Sequence, residues 1–225
     1  MAHRGKLFHK IQDGFRIRRF QAFKDLLDEA LMNKERVRIL DVGGSPIYWN
    51  MLDSYYDEKV EIHCLNFESE FHKYSGLRTT IELEVVSGDG CDMSQYENGS
   101  FDIVHSNSVI EHVGSLQNMI KFAAETRRVG CAYYVQTPNF WFPLEPHYMV
   151  PIIHWLPDAA KIALFTNVSL GYATKVSFED ALKRIDHTRM LSARMMQHLY
   201  PDATIHFERL LLLRKSITAI RRLKE

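Results

Sequence analysis

Paired cysteines, an excess of charge of one sign and a long uninterrupted apolar run are all missing from this 225-residue sequence. Its three cysteines, Cys64, Cys91 and Cys131, are widely spaced and form no C-x-x-C pair. That argues against a disulfide frame or a structural zinc and leaves the thiols as small packing groups in a reducing compartment. Lys plus Arg and Asp plus Glu both number 28, so the formal net charge is zero. Such a balance provides no general field for nucleic acid, and no RNA-binding motif is present. No segment reaches the roughly 20 apolar residues that span a bilayer. The richest, Met149 to Phe165, is interrupted by Pro151, His154, Pro157, Asp158 and Lys161. The first residues, Met1 to Lys6, lack a signal-peptide core, so the expected location is cytoplasmic. Neither a complete G-x-G-x-x-G nor a Gly-Lys-Ser/Thr loop occurs, although a Gly43-Gly44 pair does.

What is present is enough apolar chain, 46% of residues, for one well-buried α/β domain over 36–225 with an N-terminal helical segment over 1–35. In residues 6–35, Phe8, Ile11, Phe15, Phe20, Phe23, Leu26, Leu27, Ala30 and Leu31 recur at helical steps, and Gly14 is expected to divide two helices. The basic residues Lys6, Lys10, Arg16, Arg18 and Arg19 either meet an anionic partner or form a solvated helix face. From Val37 the patterns alternate between strand and helix, which predicts a parallel sheet. Strands are expected at 37–42, 60–65, about 81–86, 101–105 and 132–136, with a helix over 116–128. Residues 139–172 interrupt the rhythm with an apolar, aromatic stretch, read as a lid-like insertion. Ser177-Phe-Glu-Asp180 caps a helix running to about His187. Residues 188–199 add a helical turn or two, and 203–212 and 216–220 supply two closing strands.

Four features then fall at successive strand ends: Asp41-Val-Gly-Gly44, Asn66-Phe-Glu68, Gly88-Asp-Gly-Cys91 and Ser106-Asn107. Open α/β sheets bind ligands in the crevice at those carboxyl ends, and a polar side chain about twenty residues after a glycine turn suits a ribose. With LDVGGS as a first motif and SGDGCDMSQYENGSFDIVHSNSVIEHV as a second block, the chain resembles the class I S-adenosylmethionine-dependent methyltransferases. The resemblance implies a seven-stranded, mostly parallel sheet with helices on both faces and S-adenosyl-L-methionine as cofactor. It implies that Asp41, Gly43 and Gly44 wrap the methionine and ribose portion. Asp89, with Gly90 and Cys91, would recognise adenine, and Ser106 or Asn107 would border the methionine. The family usually places an acidic residue directly after the second strand, where this sequence has Asn66; the ribose partner is therefore Asn66 or Glu68.

Methyl transfer to a hydroxyl needs an aligned acceptor and a group to take its proton. Candidates are His147, His112, Glu145 and Glu111, with His147 and then His112 expected to be catalytic, since histidine titrates near neutrality. The competing reading has His112 open a helix and hydrogen-bond backbone, and makes the segment of Glu145 and His147 ordinary loop structure. No set of residues has the spacing of metal ligands. The aromatic insertion and the basic N-terminal segment suggest a small-molecule, glycan or lipid-linked acceptor, with peripheral membrane contact for the last. The alternatives are a cofactor-binding or scaffold protein without catalysis, or a nucleotide-sugar or nicotinamide enzyme.

Overall fold

The computed structural model describes residues 2–70 and 81–223, with side chains from Gly14 onward. The first helix, α1 (Ala2–Leu31), runs without a break through Gly14. The expected division is therefore corrected: an interior glycine costs a helix only about 1 kcal/mol, and no proline or cap is there to stop it. Its buried stripe of Phe15, Phe20, Phe23, Leu26, Leu27 and Ala30 keeps the predicted spacing.

Six residues later the chain enters β1 (Val37–Val42), followed by the short helix α2 (Pro46–Trp49), β2 (Val60–Asn66), β3 (Glu82–Ser87) and β4 (Phe101–Asn107). Helix α3 (Leu116–Val129) leads into β5 (Gly130–Pro138). The Ser115 hydroxyl caps α3 by accepting from the Asn118 amide at 3.1 Å. Next come the two-residue strands β6 (Leu144–Glu145) and β7 (Val150–Pro151), then helices α4 (Asp158–Asn167), α5 (Phe178–Asp186) and α6 (Ala193–Leu199). The hairpin β8 (Thr204–Leu210) and β9 (Leu213–Arg221) ends the fold.

The seven-stranded sheet has the order β3-β2-β1-β4-β5-β9-β8. Strands β1 to β5 are parallel and β9 is antiparallel to both β5 and β8. Because helices cover both faces, β1 and β4 are buried along nearly their whole length, Arg38 alone being exposed, as their apolar runs require. One face, with Ile39, Ile62, Ile103 and Tyr134, packs on α1 and α2 through Phe23, Leu27 and Trp49. The other, with Leu40, Val42, Val104 and Val135, packs on α3 and α6 through Phe122, Met119 and Met196. The insertion makes a smaller core of its own, joining Ile153 and Phe165 to Ala181 and Ile185 of α5. The strand order reverses between β1 and β4, so the crevice of an open α/β sheet lies at their carboxyl ends.

Candidate active site

A cavity of about 240 Å³ occupies that crevice. Gly43, Asn66, Asp89, Gly90 and Cys91, all singled out by sequence, line it. Gly43 has φ +71°, a left-handed conformation that suits glycine, and a Cβ there would lie 2.7 Å from Val109. Asn66 Nδ2 donates to the Gly44 carbonyl at 2.8 Å, tying the end of β2 to the glycine turn. In the third loop, Asp89 Oδ1 accepts from the Cys91 amide at 2.8 Å. Burial pushes the Cys91 thiol up to about 11, assisted by the Asp89 carboxylate, which makes it a packing group and a poor nucleophile.

Five of the expected residues are placed differently. Asp41 is 1% exposed and turned away from the cavity. Its carboxylate accepts from Trp49 Nε1 at 2.8 Å and pairs with His105 Nδ1 at 2.7 Å. Period-two alternation explains this, because Asp41 shares the face of Ile39, which meets α1 and α2. Gly44 sits against that carboxylate: a Cβ on it would lie 1.6 Å from Asp41 Oδ2. Gly44 is therefore glycine because of the buried acid beneath it. Ser106 is buried and donates to the Val42 carbonyl at 3.1 Å, and Asn107 is absent from the cavity lining. Glu68 is exposed, and the acid that reaches the cavity from this turn is Glu70. Phe67, Glu70, Asn118 and His187 are lining residues the sequence reading missed. A three-residue turn after β2 carries Glu70 past Glu68, and no local pattern marks Asn118 or His187.

Beside this cavity, the turn Ile110–His112 after β4 and the turn between β6 and β7 converge. They bring together the predicted pair His112 and His147, whose rings are 4.7 Å apart at 79°. Glu111 and Glu145 join them. Glu145, 2% exposed, binds His147 Nδ1 and accepts from the Tyr148 amide at 2.7 Å. Burial opposes a charge on His147, yet the bond to Glu145 and the nearby carboxylates raise its pKa above the ordinary value. Glu111 is fully buried; desolvation pushes its carboxyl up to about 7, although Thr137 Oγ1 donates to it at 2.9 Å.

A second cavity, about 420 Å³, opens at the ends of β4 and β5 between α1, the insertion and the β8–β9 hairpin. Phe142, Leu144, Met149 and Met190 make its apolar wall, while Arg16, Arg19 and Lys215 bring three cations. One carboxylate, Glu208, answers two of them, at 3.0 Å from Arg19 and 3.3 Å from Lys215. Burial holds the Lys215 ammonium below its usual range, against the pull of Glu208. Ser108 at the mouth of β4 is held at φ +59° and donates to Gln136 Oε1 at 3.0 Å.

The family model described as a methyltransferase domain matches residues 40–131. Over 51 residues the chain is 33% identical to two uncharacterized proteins of Mycobacterium tuberculosis strains, a stretch that covers 23% of this chain and 17% of theirs. A solved SAM-dependent methyltransferase from Methanosarcina mazei has the same fold, with a TM-score of 0.50 and 13% identity over 85% of this chain and 95% of its own. A structure from Anabaena variabilis that carries a methyltransferase description aligns at a TM-score of 0.51, with 14% identity over 86% and 64% of the two chains. Identities this low speak to fold alone. Taken with the sheet order, they agree with the resemblance read from the strand-end motifs: residues 40–131 match a methyltransferase domain, and the fold is that of the class I S-adenosylmethionine-dependent methyltransferases.

Proposed function

We propose that the chain methylates an oxygen of an acceptor that joins an anionic group to an apolar, lipid-like portion. The observation that carries this reading is the 420 Å³ cavity, in which three cations face an apolar wall. Leu210 lines that cavity and begins a run of four leucines at the hairpin tip, where Leu211 and Leu212 are 89% and 90% exposed. Arg209 and Arg214 flank the tip, as basic residues flank an apolar anchor at an anionic lipid surface. Among the described residues no helix is long and apolar enough to cross a membrane.

We assign the first cavity to S-adenosylmethionine. Gly90 leaves no room for a Cβ, which would meet the Val42 side chain at 2.7 Å and that of Phe122 at 2.8 Å, so the third loop lies with its backbone close against the apolar wall of the cavity. The Asp89 loop would hold adenine, Asn66 with Glu70 the ribose hydroxyls, and the Gly43 turn the methionine end. When bound, the cofactor supplies an electrophilic methyl carbon and leaves as a neutral thioether. His147 is the base we assign: Glu145 holds its Nδ1, leaving Nε2 to take the acceptor's proton. Arg16, Arg19 and Lys215 orient the anionic group, and the apolar wall excludes water from the reacting oxygen.

Calorimetric titration with S-adenosylhomocysteine and a labelled-methyl transfer assay on anionic lipid-linked glycans and small amphiphiles test the reading. Stoichiometric product binding with label on the lipid-linked acceptor supports it. Binding without turnover on any acceptor returns the chain to a cofactor-binding or scaffold role. No binding overturns both.

A further inference from the structure

Glu111, His112 and His147 have a feature that a base alone does not explain. One ligand-capable atom from each lies within 4.8 Å of the others. Both histidines are also engaged at the same ring atom. His112 Nδ1 is 2.5 Å from the His187 carbonyl, and His147 Nδ1 is bonded to the Glu145 carboxylate. Each partner is an acceptor, so each Nδ1 carries a proton, and in the neutral ring each Nε2 keeps its lone pair. Metal-binding histidines are held in this way, with the outer nitrogen fixed by a carboxylate or a backbone carbonyl.

The third group is stranger still. Glu111 is 0% exposed; Thr137 satisfies Oε2, while Oε1 has no hydrogen-bond partner. A buried carboxylate oxygen left alone is costly, and a cation is the partner that would relieve it. We infer that Glu111, His112 and His147 form a binding site for one divalent transition-metal ion, with Glu145 and the His187 carbonyl as its outer shell.

Two imidazole nitrogens and one carboxylate oxygen suit zinc, manganese, iron(II), cobalt or nickel better than magnesium, which prefers oxygen ligands alone. Ligands held at about 2.1 Å from one ion lie roughly 3 to 4 Å apart, so the rings must close slightly. Three protein ligands leave a position for water or substrate. The role of the ion rests on the methyl-transfer reading: an acceptor hydroxyl at the open position becomes acidic and gives its proton to water. In that state His147 serves as a ligand and the cation takes over its task. Ion binding itself needs no turnover to be observed.

The test uses the full chain, dialysed against chelator and titrated with Co²⁺ in a visible-absorption experiment and with Zn²⁺ and Mn²⁺ by calorimetry. The expected result is one ion per chain, with cobalt d–d bands of a nitrogen–oxygen site. His147→Ala and Glu111→Gln should each abolish the bands, and Glu145→Gln should weaken binding about 10- to 100-fold. His147 is half-buried, so its variant keeps the test alive should Glu111→Gln fail to fold. No binding of any of the three ions, or unchanged affinity in folded His147→Ala, overturns the inference. S-adenosylhomocysteine titrated into the same stripped sample tests the donor site separately, so failure of one reading is distinguishable from failure of the other.

Discussion

The two cavities lie at the same end of one sheet and are built in opposite ways. The first is made by backbone at the ends of consecutive strands: a glycine turn after β1, a polar residue closing β2 and an Asx turn after β3. Its lining comes largely from short segments ordered along the chain. The second draws Arg16 from α1, Gln136 from β5, Met149 from the insertion and Lys215 from β9, residues up to about 200 positions apart. A site of the first kind follows from a repeated strand–turn grammar, whereas a site of the second kind exists only once the sheet has closed. On the proposed reading, the difference explains why the methyl donor is legible in the sequence and the acceptor is not.

Variants can break or sharpen this contrast. The largest effect is expected at Gly44→Val, whose side chain would overlap the buried Asp41 carboxylate. A loss of about 4 kcal/mol or more in denaturant unfolding is expected, the range reached when a buried charged network is broken. A well-folded Gly44→Val protein that merely loses cofactor would instead place this glycine in the donor cavity. His147→Ala comes next, lowering kcat by about 10²- to 10⁴-fold with S-adenosylhomocysteine affinity unchanged, as steady-state rates and calorimetry would report. If donor affinity falls with it, the two regions are not separable.

Smaller effects belong to the second region. Arg16→Met removes a cation from the wall of the second cavity and should raise KM for an anionic acceptor about tenfold while leaving kcat in place, since a charged hydrogen bond contributes about 1.5 kcal/mol or more. A KM unmoved for anionic and neutral acceptors alike would remove the cationic wall from the argument. Replacing Leu211 and Leu212 with serine should weaken sedimentation with phosphatidylglycerol vesicles by about tenfold or more, because burying each leucine contributes roughly 1.5 to 3 kcal/mol. Equal retention by the variant and the parent would sink the lipid-facing role of the hairpin tip. The smallest change is Ser177→Ala, which removes the cap of α5 at the Asp180 amide and should cost about 1 kcal/mol in thermal unfolding with the site intact.

Particular residues show where local reading ends. The apolar runs of β1 and β4 and the stripe on α1 predict their elements closely, because a chain buried on both faces or on one leaves a distinct period. Gly14 misleads, since glycine weakens a helix without having to end it. Asp41 lies in the most recognisable motif of the chain yet points into the core, held by Trp49 and His105. Its alternation with Ile39 contained that answer, but the identity of its partners did not. His112 and His147 stand out as single histidines. Only the convergence of two turns separated by α3, β5 and the start of the insertion sets them beside Glu111 and Glu145.

By itself, then, the sequence determined the strand and helix periods, the glycine and Asx turns at the strand ends and, through them, the class of fold and its methyl donor. These are local matters, decided by neighbours two to four residues apart. The tertiary structure alone decided which way Asp41 faces, that Glu70 rather than Glu68 reaches the first cavity, that three cations line the second, and that two histidines and a carboxylate cluster beside the first. Those depend on contacts between distant segments, whose geometry arises only when the hydrophobic faces of the sheet are covered and the polar groups left inside must find one another.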